Sequence, residues 1–239
     1  MDTIKIEKSK AQLIAHRGLS GIEVENTNSA FVAAGNRSYY GIETDIHKTA
    51  DGHFVISHDE NLKRVSGQDI SIEKSTLAEL EKIILLDKDQ AKNRIDLRIS
   101  RLDCYISICK KYEKHAVLEL KSDFTLEEVS KIIEIIRSFD YLEAVTFISF
   151  NYNNLLKVRT LLPNHSAQYL FFDFSDEIEK NIIRDKFDVD VSYHALTREK
   201  VEMLHKAGLK VNCWTVNSRE DAERLIEYGV DFITTNILE

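Results

Sequence analysis

Two carboxylates and a histidine occur at alternate positions in the segment GIETDIHK. Successive side chains of a β-strand point to opposite faces, so Glu43, Asp45 and His47 would share one face, opposite the two isoleucines of the segment. If the isoleucines pack beneath helices, both carboxylates point into the interior of the sheet. Two acids side by side there repel each other and stay ionised only beside a cation or with shifted pKa values. His47 could support the two acids from behind.

The run VLELK has the same alternation and directs Glu119 and Lys121 inward. Three inward carboxylates, those of Glu43, Asp45 and Glu119, form an oxygen-rich cage that suits Ca²⁺ or Mg²⁺, whereas Zn²⁺ prefers cysteine and histidine. The alternative is a buried network of ion pairs without metal, in which Glu119 pairs with Lys121 or Asp45 pairs with Arg17.

A histidine and an arginine end the first apolar run of the chain, LIAHRG. Leu13–Ala15 is predicted to be a buried strand, and Gly18 permits a sharp exit from it. Strand ends are often simply wet, but a phosphate or a metal could also lie beyond this one. His58 ends another β-rich run, FVISH. The expected placement of His16, Arg17 and His58 at the same end as the three carboxylates favours a functional site over plain ion pairs.

Short apolar runs alternate with helical patterns, which predicts βαβ units and a parallel sheet. Eight runs are strand candidates, the number that closes a TIM (β/α)8 barrel, with a doubly wound open sheet as the alternative. They are QLIAHR, YGIETDIHKT, HAVLELK, AVTFISF, SAQYLFF, DVDVSY, KVNCWTV and DFITTN. Helices are predicted to begin after Thr125, Thr197 and Ser218, and two to stop at Gly208 and Gly229.

A short antiparallel hairpin is expected after the second strand, with its turn at Asp51–Gly52. Residues 60–97 follow it and are the least regular part of the chain, with a capping box at Thr76 to Glu79. This segment is predicted to be either a lid or partner surface on the C-terminal face or a plain surface loop. With no linker between the elements, residues 1–239 are assigned to a single domain.

The composition is that of an ordinary globular protein, with 239 residues, 43% of them hydrophobic and 30% charged. A formal net charge of −8 argues against nucleic acid and anionic membranes as partners. No signal peptide or membrane span is evident, which predicts a cytoplasmic protein. The three cysteines lack zinc-ligand spacing and are expected to be buried, with Cys213 facing a helix layer.

The motifs IAHRG, ENT, GIETDIHKTADGHFVISHD, LELK, WTVN and GVDFITTN, in this order, resemble the glycerophosphodiester phosphodiesterase family over nearly the whole chain. The resemblance implies a TIM barrel that uses a divalent cation to hydrolyse glycerophosphodiesters to an alcohol and glycerol 3-phosphate, in phospholipid-derived glycerol metabolism. Matched position by position, it implies catalytic roles for His16 and His58. It further implies metal ligation by Glu43, Asp45 and Glu119 and phosphate contacts by Arg17 and Lys121.

Three further residues match the family in the substrate region. Glu25 and Asn26 of the ENT stretch could orient the site, although Asn26 could equally cap the helix that starts near Thr27. Trp214 resembles the tryptophan of the family's substrate pocket, although a lone tryptophan is as often plain core. The other histidines are expected to be ordinary surface or loop residues, namely His53, His115, His165, His194 and His205.

The chain departs from the family pattern in three places. Val24 stands where the family usually has proline, and Thr235–Asn236 stands where members often have Thr-Asp, so an acid at the last strand is absent. The sequence stops at Glu239, which leaves no room for an eighth outer helix. Another segment, or a partner subunit in a homo-oligomer, is expected to cover that flank.

The two histidines could divide the proton transfers of phosphodiester cleavage, with His16 as the expected acid and His58 as the base. The nucleophile could be water or a neighbouring glycerol hydroxyl. A lysophospholipase D-like enzyme would use the same residues but need an apolar groove near residues 60–97. A decayed barrel that only binds phosphate compounds should have lost one of these residues, and none is missing. An isomerase barrel would need a phosphate cradle that TTNILE, without glycine, does not offer.

Overall fold

The computed structural model describes residues 2–239, whose sheet has ten strands. Eight of them run parallel, and two short ones, β3 and β4, are antiparallel. The strands are β1 (Gln12–Ala15), β2 (Gly41–Lys48), β3 (Phe54–Ile56), β4 (Ser100–Arg101), β5 (His115–Leu120), β6 (Val145–Ser149), β7 (Ala167–Phe171), β8 (Asp188–Ser192), β9 (Val211–Trp214) and β10 (Phe232–Thr235).

The helices lie between the strands in chain order. They are α1 (Asn28–Gly35), α2 (Lys63–Ser66), α3 (Leu77–Leu80), α4 (Leu102–Lys111), α5 (Leu126–Ser138), α6 (Tyr152–Leu161), α7 (Asp176–Asp185), α8 (Arg198–Lys206) and α9 (Arg219–Tyr228). Within residues 2–239, none has the length and apolar character that a membrane span requires.

The eight parallel strands close into a barrel because β1 pairs with both β10 and β2. This closure confirms the predicted TIM barrel and excludes the open sheet. Strand β5 lies beside β2 in a register that pairs Asp45 with Glu119. The two acidic segments therefore end at the same level of the barrel.

Side chains alternate along these strands as the sequence pattern predicted. Ile42 and Leu118 are fully buried between the sheet and the helices. Ile14 and Val117 instead face the inside of the barrel, where they contact Ile148 and Leu170. Burying each large apolar side chain contributes roughly 1.5–3 kcal/mol, so the two layers enforce the register that turns the carboxylates inward.

The helix ends agree with the capping signals. The Thr125 side chain accepts a hydrogen bond from the Glu128 amide, and Thr197 and Ser218 cap α8 and α9 in the same way. Gly229 ends α9 in the left-handed conformation, and Gly208 follows the end of α8 with φ +78°. Of the cysteines, Cys109 and Cys213 are buried as expected, whereas Cys104 is only partly buried.

The hairpin and the segment after it form a layer beside β2. Strand β3 pairs antiparallel with β2, and Thr49 closes the predicted turn through a hydrogen bond from its amide to the His53 carbonyl. Residues 60–97 have a small apolar core of their own around the fully buried Leu62, Ile72 and Leu80. The predicted capping box is present at Thr76.

The flank between β10 and β1 is covered by the two ends of the described chain. Ile4 forms a parallel bridge with Leu238, and the Ile6 amide donates to the carbonyl of Glu239 at 2.9 Å. The Glu239 carboxylate also binds Lys5 at 2.9 Å. Within residues 2–239 no helix follows β10, and the bridge between Ile4 and Leu238 places an N-terminal segment beside the residues that follow this strand.

Gly18 follows β1 and packs closely against Ala30 of α1. Its φ is +75°, and an added Cβ would lie 2.7 Å from the backbone of Ala30. Gly18→Ala is expected to lower the free energy of unfolding by about 3 kcal/mol, because left-handed strain and overpacking add. Gly52→Ala is the control, since Gly52 has φ +81° but open space around it. Urea denaturation measures both, and equal losses would contradict the close contact at Gly18.

Candidate active site at the C-terminal end of the barrel

Three carboxylates meet where β2 and β5 end. One carboxylate oxygen from each of Glu43, Asp45 and Glu119 lies within 4.8 Å of the others, and all three side chains are buried. This spacing is compatible with one shared divalent ion, whose ligand oxygens lie about 2.4 Å from a Ca²⁺ ion. The sequence-predicted acids are therefore brought together.

Two cations lie against the carboxylates. Lys121 Nζ is 3.2 Å from Glu119 and 3.7 Å from Asp45, and Arg17 Nε is 3.6 Å from Asp45. The main-chain amide of Arg17 also donates to Glu43 at 2.8 Å. The ion pairs proposed as the alternative to a metal are therefore present.

These ion pairs do not compensate all three carboxylates. Burial opposes the ionisation of Asp45, but Arg17 and Lys121 outweigh it, and the pKa of Asp45 is lowered. Burial, and then the charge of Asp45, raises the pKa of Glu119 to about 8 and that of Glu43 well above its ordinary value. The cluster therefore lacks positive charge, and its all-oxygen donor set fits a hard divalent cation.

His16 continues the inward face of β1. Its Nδ1 lies 2.7 Å from Asn236 Oδ1, and its Nε2 is 4.0 Å from Glu43. Because an amide oxygen only accepts, Nδ1 carries the proton and Nε2 of the neutral ring has a free lone pair. Burial, and then the charge of Arg17, lowers the pKa of His16 to about 4. Asn236 occupies the position of the missing acid, so His16 has a neutral partner.

His58 follows β3 and has a charged partner instead. Its Nδ1 lies 2.7 Å from Asp59 Oδ1, and Asp59 Oδ2 accepts a hydrogen bond from Arg64 Nε at 2.6 Å. Because a carboxylate oxygen accepts, Nδ1 carries the proton of this contact, and Asp59 fixes the orientation of the ring. Asp59 was visible in the sequence only as the neighbour of His58, and nothing in the pattern of the 60–97 segment singled out Arg64.

Glu25 links Arg64, which binds Asp59, to Arg17, which binds Asp45. Its carboxylate accepts from Arg64 at 2.8 and 3.1 Å and from Arg17 Nη1 at 2.9 Å. A continuous chain of charged contacts therefore runs from Asp59 through Arg64, Glu25 and Arg17 to Asp45. Glu25 therefore joins Arg17 to Arg64, and its role in orienting the site stays a prediction.

Asn26 holds Asp45 in place and does not cap α1. It has φ +58°, its Nδ2 donates to Asp45 Oδ2 at 2.8 Å, and its Oδ1 accepts from the Thr44 hydroxyl at 2.7 Å. Thr27 is the cap, because its side chain accepts from the Ala30 amide. The capping alternative for Asn26 is therefore wrong.

Two other histidines lie behind or away from the site. His47 is buried, with Nε2 3.3 Å from the carbonyl of His58, so it contacts the loop that carries His58, and its support of the acids stays a prediction. His115 was expected on the surface, but it begins β5 and is partly buried, with Nε2 2.8 Å from Thr146 Oγ1. The strand pairing with β2 explains the difference, because it draws the first residue of β5 into the sheet.

A cavity of about 160 Å³ opens between the histidines. Arg17 and Trp214 line it, whereas Glu25, Asn26 and Lys121 contact the side chains behind its wall. One side is polar, and the other is apolar and aromatic. The lining residues are His16, Arg17, Glu43, His58, Glu119, Ile148, Phe150, Leu170, Phe172, Asp190, Trp214, Thr215 and Thr234.

The aromatic side of the cavity consists of three rings that the sequence analysis only partly identified. Trp214 contacts Phe150 and Phe172 edge to face, with ring centroids 5.7 and 5.2 Å apart. The two phenylalanines stack at 5.3 Å, and Phe172 is 63% exposed. Trp214 Nε1 donates to the carbonyl of Asp190 at 3.1 Å. Both phenylalanines directly follow strands β6 and β7, a position that marks the same end of the barrel.

Fold and site together define a TIM-barrel protein with an acidic centre and two histidines at the C-terminal mouth. The sequence profile of the glycerophosphoryl diester phosphodiesterase family matches residues 16–239, and the chain belongs to that family.

Individual relatives agree over almost the full length. A glycerophosphodiester phosphodiesterase of Caldanaerobacter subterraneus is 32% identical over 232 residues, which cover 95% of this chain and 94% of the relative. A phosphodiesterase of Oleispira antarctica, solved with the product sn-glycerol 3-phosphate, is 27% identical with a TM-score of 0.87, covering 94% and 92% of the two chains. A glycerophosphodiester phosphodiesterase structure from Parabacteroides distasonis is 26% identical with a TM-score of 0.81, covering 96% and 94%.

Proposed function

We propose that this protein hydrolyses glycerophosphodiesters to an alcohol and sn-glycerol 3-phosphate. The observation that carries the proposal is the convergence of three buried carboxylates and two differently partnered histidines on one cavity. The family membership and the product bound to the Oleispira antarctica relative support the same substrate class. A decayed binding barrel is disfavoured because His16, His58, Glu43, Asp45 and Glu119 are all present.

Glu43, Asp45 and Glu119 would hold one divalent cation, Ca²⁺ or Mg²⁺. When bound, such a cation draws negative charge from the phosphate oxygens and so makes the phosphorus easier to attack. Arg17 lies at the edge of the cavity and can bind a phosphate oxygen through its guanidinium group. Lys121, which touches Glu119 and Asp45, adds positive charge behind the phosphate.

The partners of the two histidines support the opposite division of roles from the one expected from sequence. His16 donates from Nδ1 to a neutral amide, which leaves Nε2 free to accept the proton of the attacking hydroxyl. His58 is held at Nδ1 by the Asp59 carboxylate and lines the same cavity, so it is assigned the complementary step, donation of a proton from its other ring nitrogen to the departing alcohol oxygen. His16 is therefore proposed as the base and His58 as the acid.

A lysophospholipid is the second candidate substrate. The exposed Phe172 and its neighbour Phe150 offer apolar surface at the rim, where an acyl chain would leave the cavity. This surface comes from the loops after β6 and β7, not from residues 60–97 as a lipid-cleaving enzyme was expected to require.

The test is incubation of the pure protein with glycerophosphocholine, glycerophosphoethanolamine and lysophosphatidylcholine in the presence of Ca²⁺ or Mg²⁺. Enzymatic detection of sn-glycerol 3-phosphate reports the first two, and choline release reports the lysolipid. We expect sn-glycerol 3-phosphate from at least one glycerophosphodiester. Absence of product from every glycerophosphodiester would refute the proposal, and choline release from the lysolipid alone would favour the second candidate.

A further inference from the structure

One buried carboxyl group at the bottom of the cavity plays no part in the chemistry described above. Asp190 lies at the middle of β8 and points into the barrel, because its neighbours Val189 and Val191 pack outward against the helices. It is only 1% exposed and lines the same cavity as His16 and His58. It is separate from the three carboxylates of β2 and β5, because strands β7 and β6 lie between β8 and β5 in the barrel.

One oxygen of the Asp190 carboxyl group has no hydrogen-bond partner in the described part of the chain. This oxygen, Oδ1, is buried. Trp214 binds only the main-chain carbonyl of this residue. The polar neighbour on the adjacent strand, Asn212, has other partners, since its amide donates to Gln168 and its oxygen accepts from Thr234, and within the described residues no hydrogen bond joins it to Asp190.

Such a group weakens the fold unless something else uses it. An unpaired buried carboxyl loses its hydration without compensation, and burial raises the pKa of Asp190 well above its ordinary value. A leucine would fill the same position among Leu170, Ile148 and Trp214 without that cost. The missing partner is therefore expected among the molecules that enter the cavity.

We propose that Asp190 binds a hydroxyl group of the glycerol moiety and so selects for a polyol at the inner end of the cavity. This inference rests on the proposed function. The polar groups that suit a phosphate lie on the His16 and Arg17 side, which leaves Asp190 for the part of the substrate that reaches further in. A hydroxyl can both donate and accept, so it pairs with a carboxyl group in either protonation state.

The size of the cavity agrees with a small polyol. Its volume of about 160 Å³ is well below the roughly 300–1,000 Å³ of pockets that enclose drug-sized ligands. The apolar sides formed by Leu170 and Trp214 suit the carbon chain of a glycerol, while Asp190 supplies a polar contact beside them. A larger alcohol on the other side of the phosphate would extend outward past Phe150 and Phe172.

The test compares glycerophosphocholine with 2-hydroxypropyl phosphocholine, which keeps the hydroxyl nearest the phosphate and lacks the terminal one. Asp190→Leu is expected to lower kcat/KM for glycerophosphocholine about tenfold to a hundredfold, the effect of one or two lost hydrogen bonds, and to leave that for 2-hydroxypropyl phosphocholine unchanged. Asp190→Asn, which keeps a donor and an acceptor, should retain part of the preference. Asp188→Asn is the matched control. Asp188 lies two residues before Asp190 on β8, and its carboxylate accepts a hydrogen bond from the main-chain amide of Lys210.

Thermal denaturation without substrate separates binding from folding. Asp190→Leu is expected to be at least as stable as the wild type, because it removes an unpaired buried group. A large loss of stability in both Asp190 variants would instead show a structural role and overturn the proposal. So would an unchanged preference for glycerol, or an equal loss of rate on both substrates.

Binding of sn-glycerol 3-phosphate and of propyl phosphate, measured by calorimetry, tests Asp190 independently of turnover. If the wild type cleaves no glycerophosphodiester but binds sn-glycerol 3-phosphate more tightly than propyl phosphate, and Asp190→Leu removes this difference, the hydrolytic proposal fails and this inference stands. If the wild type binds the two phosphates equally well, the inference itself is wrong.

Discussion

Exhaustive removal of divalent cations is expected to abolish hydrolysis of glycerophosphocholine, with at least a hundredfold loss of rate, and Ca²⁺ or Mg²⁺ should restore it. The physical reason is the shortage of positive charge around Glu43 and Glu119, which Arg17 and Lys121 do not supply. A cation at this site contributes several kcal/mol to the stabilisation of charge on the phosphate, and each 1.4 kcal/mol is about a factor of ten in rate. Turnover before chelation, after it, and after addition of each metal measures the effect.

Glu43→Gln tests whether the loss of rate on chelation arises from metal held by the carboxylate cluster. We expect weaker metal binding by calorimetry, a smaller rise of the melting temperature on adding metal, and a lower rate. Glu127→Gln is the control, because Glu127 is exposed and pairs only with Lys131 on the surface of α5. Full activity after chelation would exclude the metal, and a lower rate with unchanged metal affinity would give Glu43 a role other than ligation.

Alanine at either His16 or His58 is expected to reduce the rate on glycerophosphocholine by roughly a hundred- to ten-thousand-fold, the usual contribution of a positioned acid or base. A nitrophenyl phosphodiester separates the two roles, because its leaving group departs without a proton. We expect this substrate to restore much of the rate of His58→Ala but not that of His16→Ala. The wild type should show a bell-shaped pH profile, since one ring must be neutral and the other protonated.

His53→Ala controls for the general effect of removing a histidine, because His53 is exposed on the hairpin. Rescue of His16→Ala instead of His58→Ala would restore the assignment first expected from the sequence. Near-native turnover of both variants on glycerophosphocholine would mean that β1 and β3 are followed by histidines for no catalytic reason.

The parts of the molecule that depend on local pattern were predictable from sequence. The alternation in GIETDIHK and VLELK placed Glu43, Asp45 and Glu119 on one face, because strand geometry imposes a period of two. The helix start at Thr125 followed from a threonine placed directly before an amphipathic run.

The partners of the site residues were not predictable in the same way. Asn236 bonds His16 only because β1 and β10 lie side by side, 220 positions apart in sequence. Arg64 reaches Asp59 and Glu25 from an irregular segment, and Asp190 is identified by a missing contact. Period and composition carry no information about such pairings, which depend on how the closed barrel brings distant residues together.

The contacts of Arg64 also define what could be exchanged between barrels of this kind. His58 and its partner Asp59 directly precede the irregular segment, and Arg64 joins that segment to Asp59 and to Glu25 at the barrel mouth. The transplantable unit is therefore larger than the loop between β3 and β4. A chimaera that replaces residues 60–97 must keep a guanidinium group at position 64, because otherwise Asp59 and Glu25 lose the contact that joins the loop of His58 to the loop that follows β1.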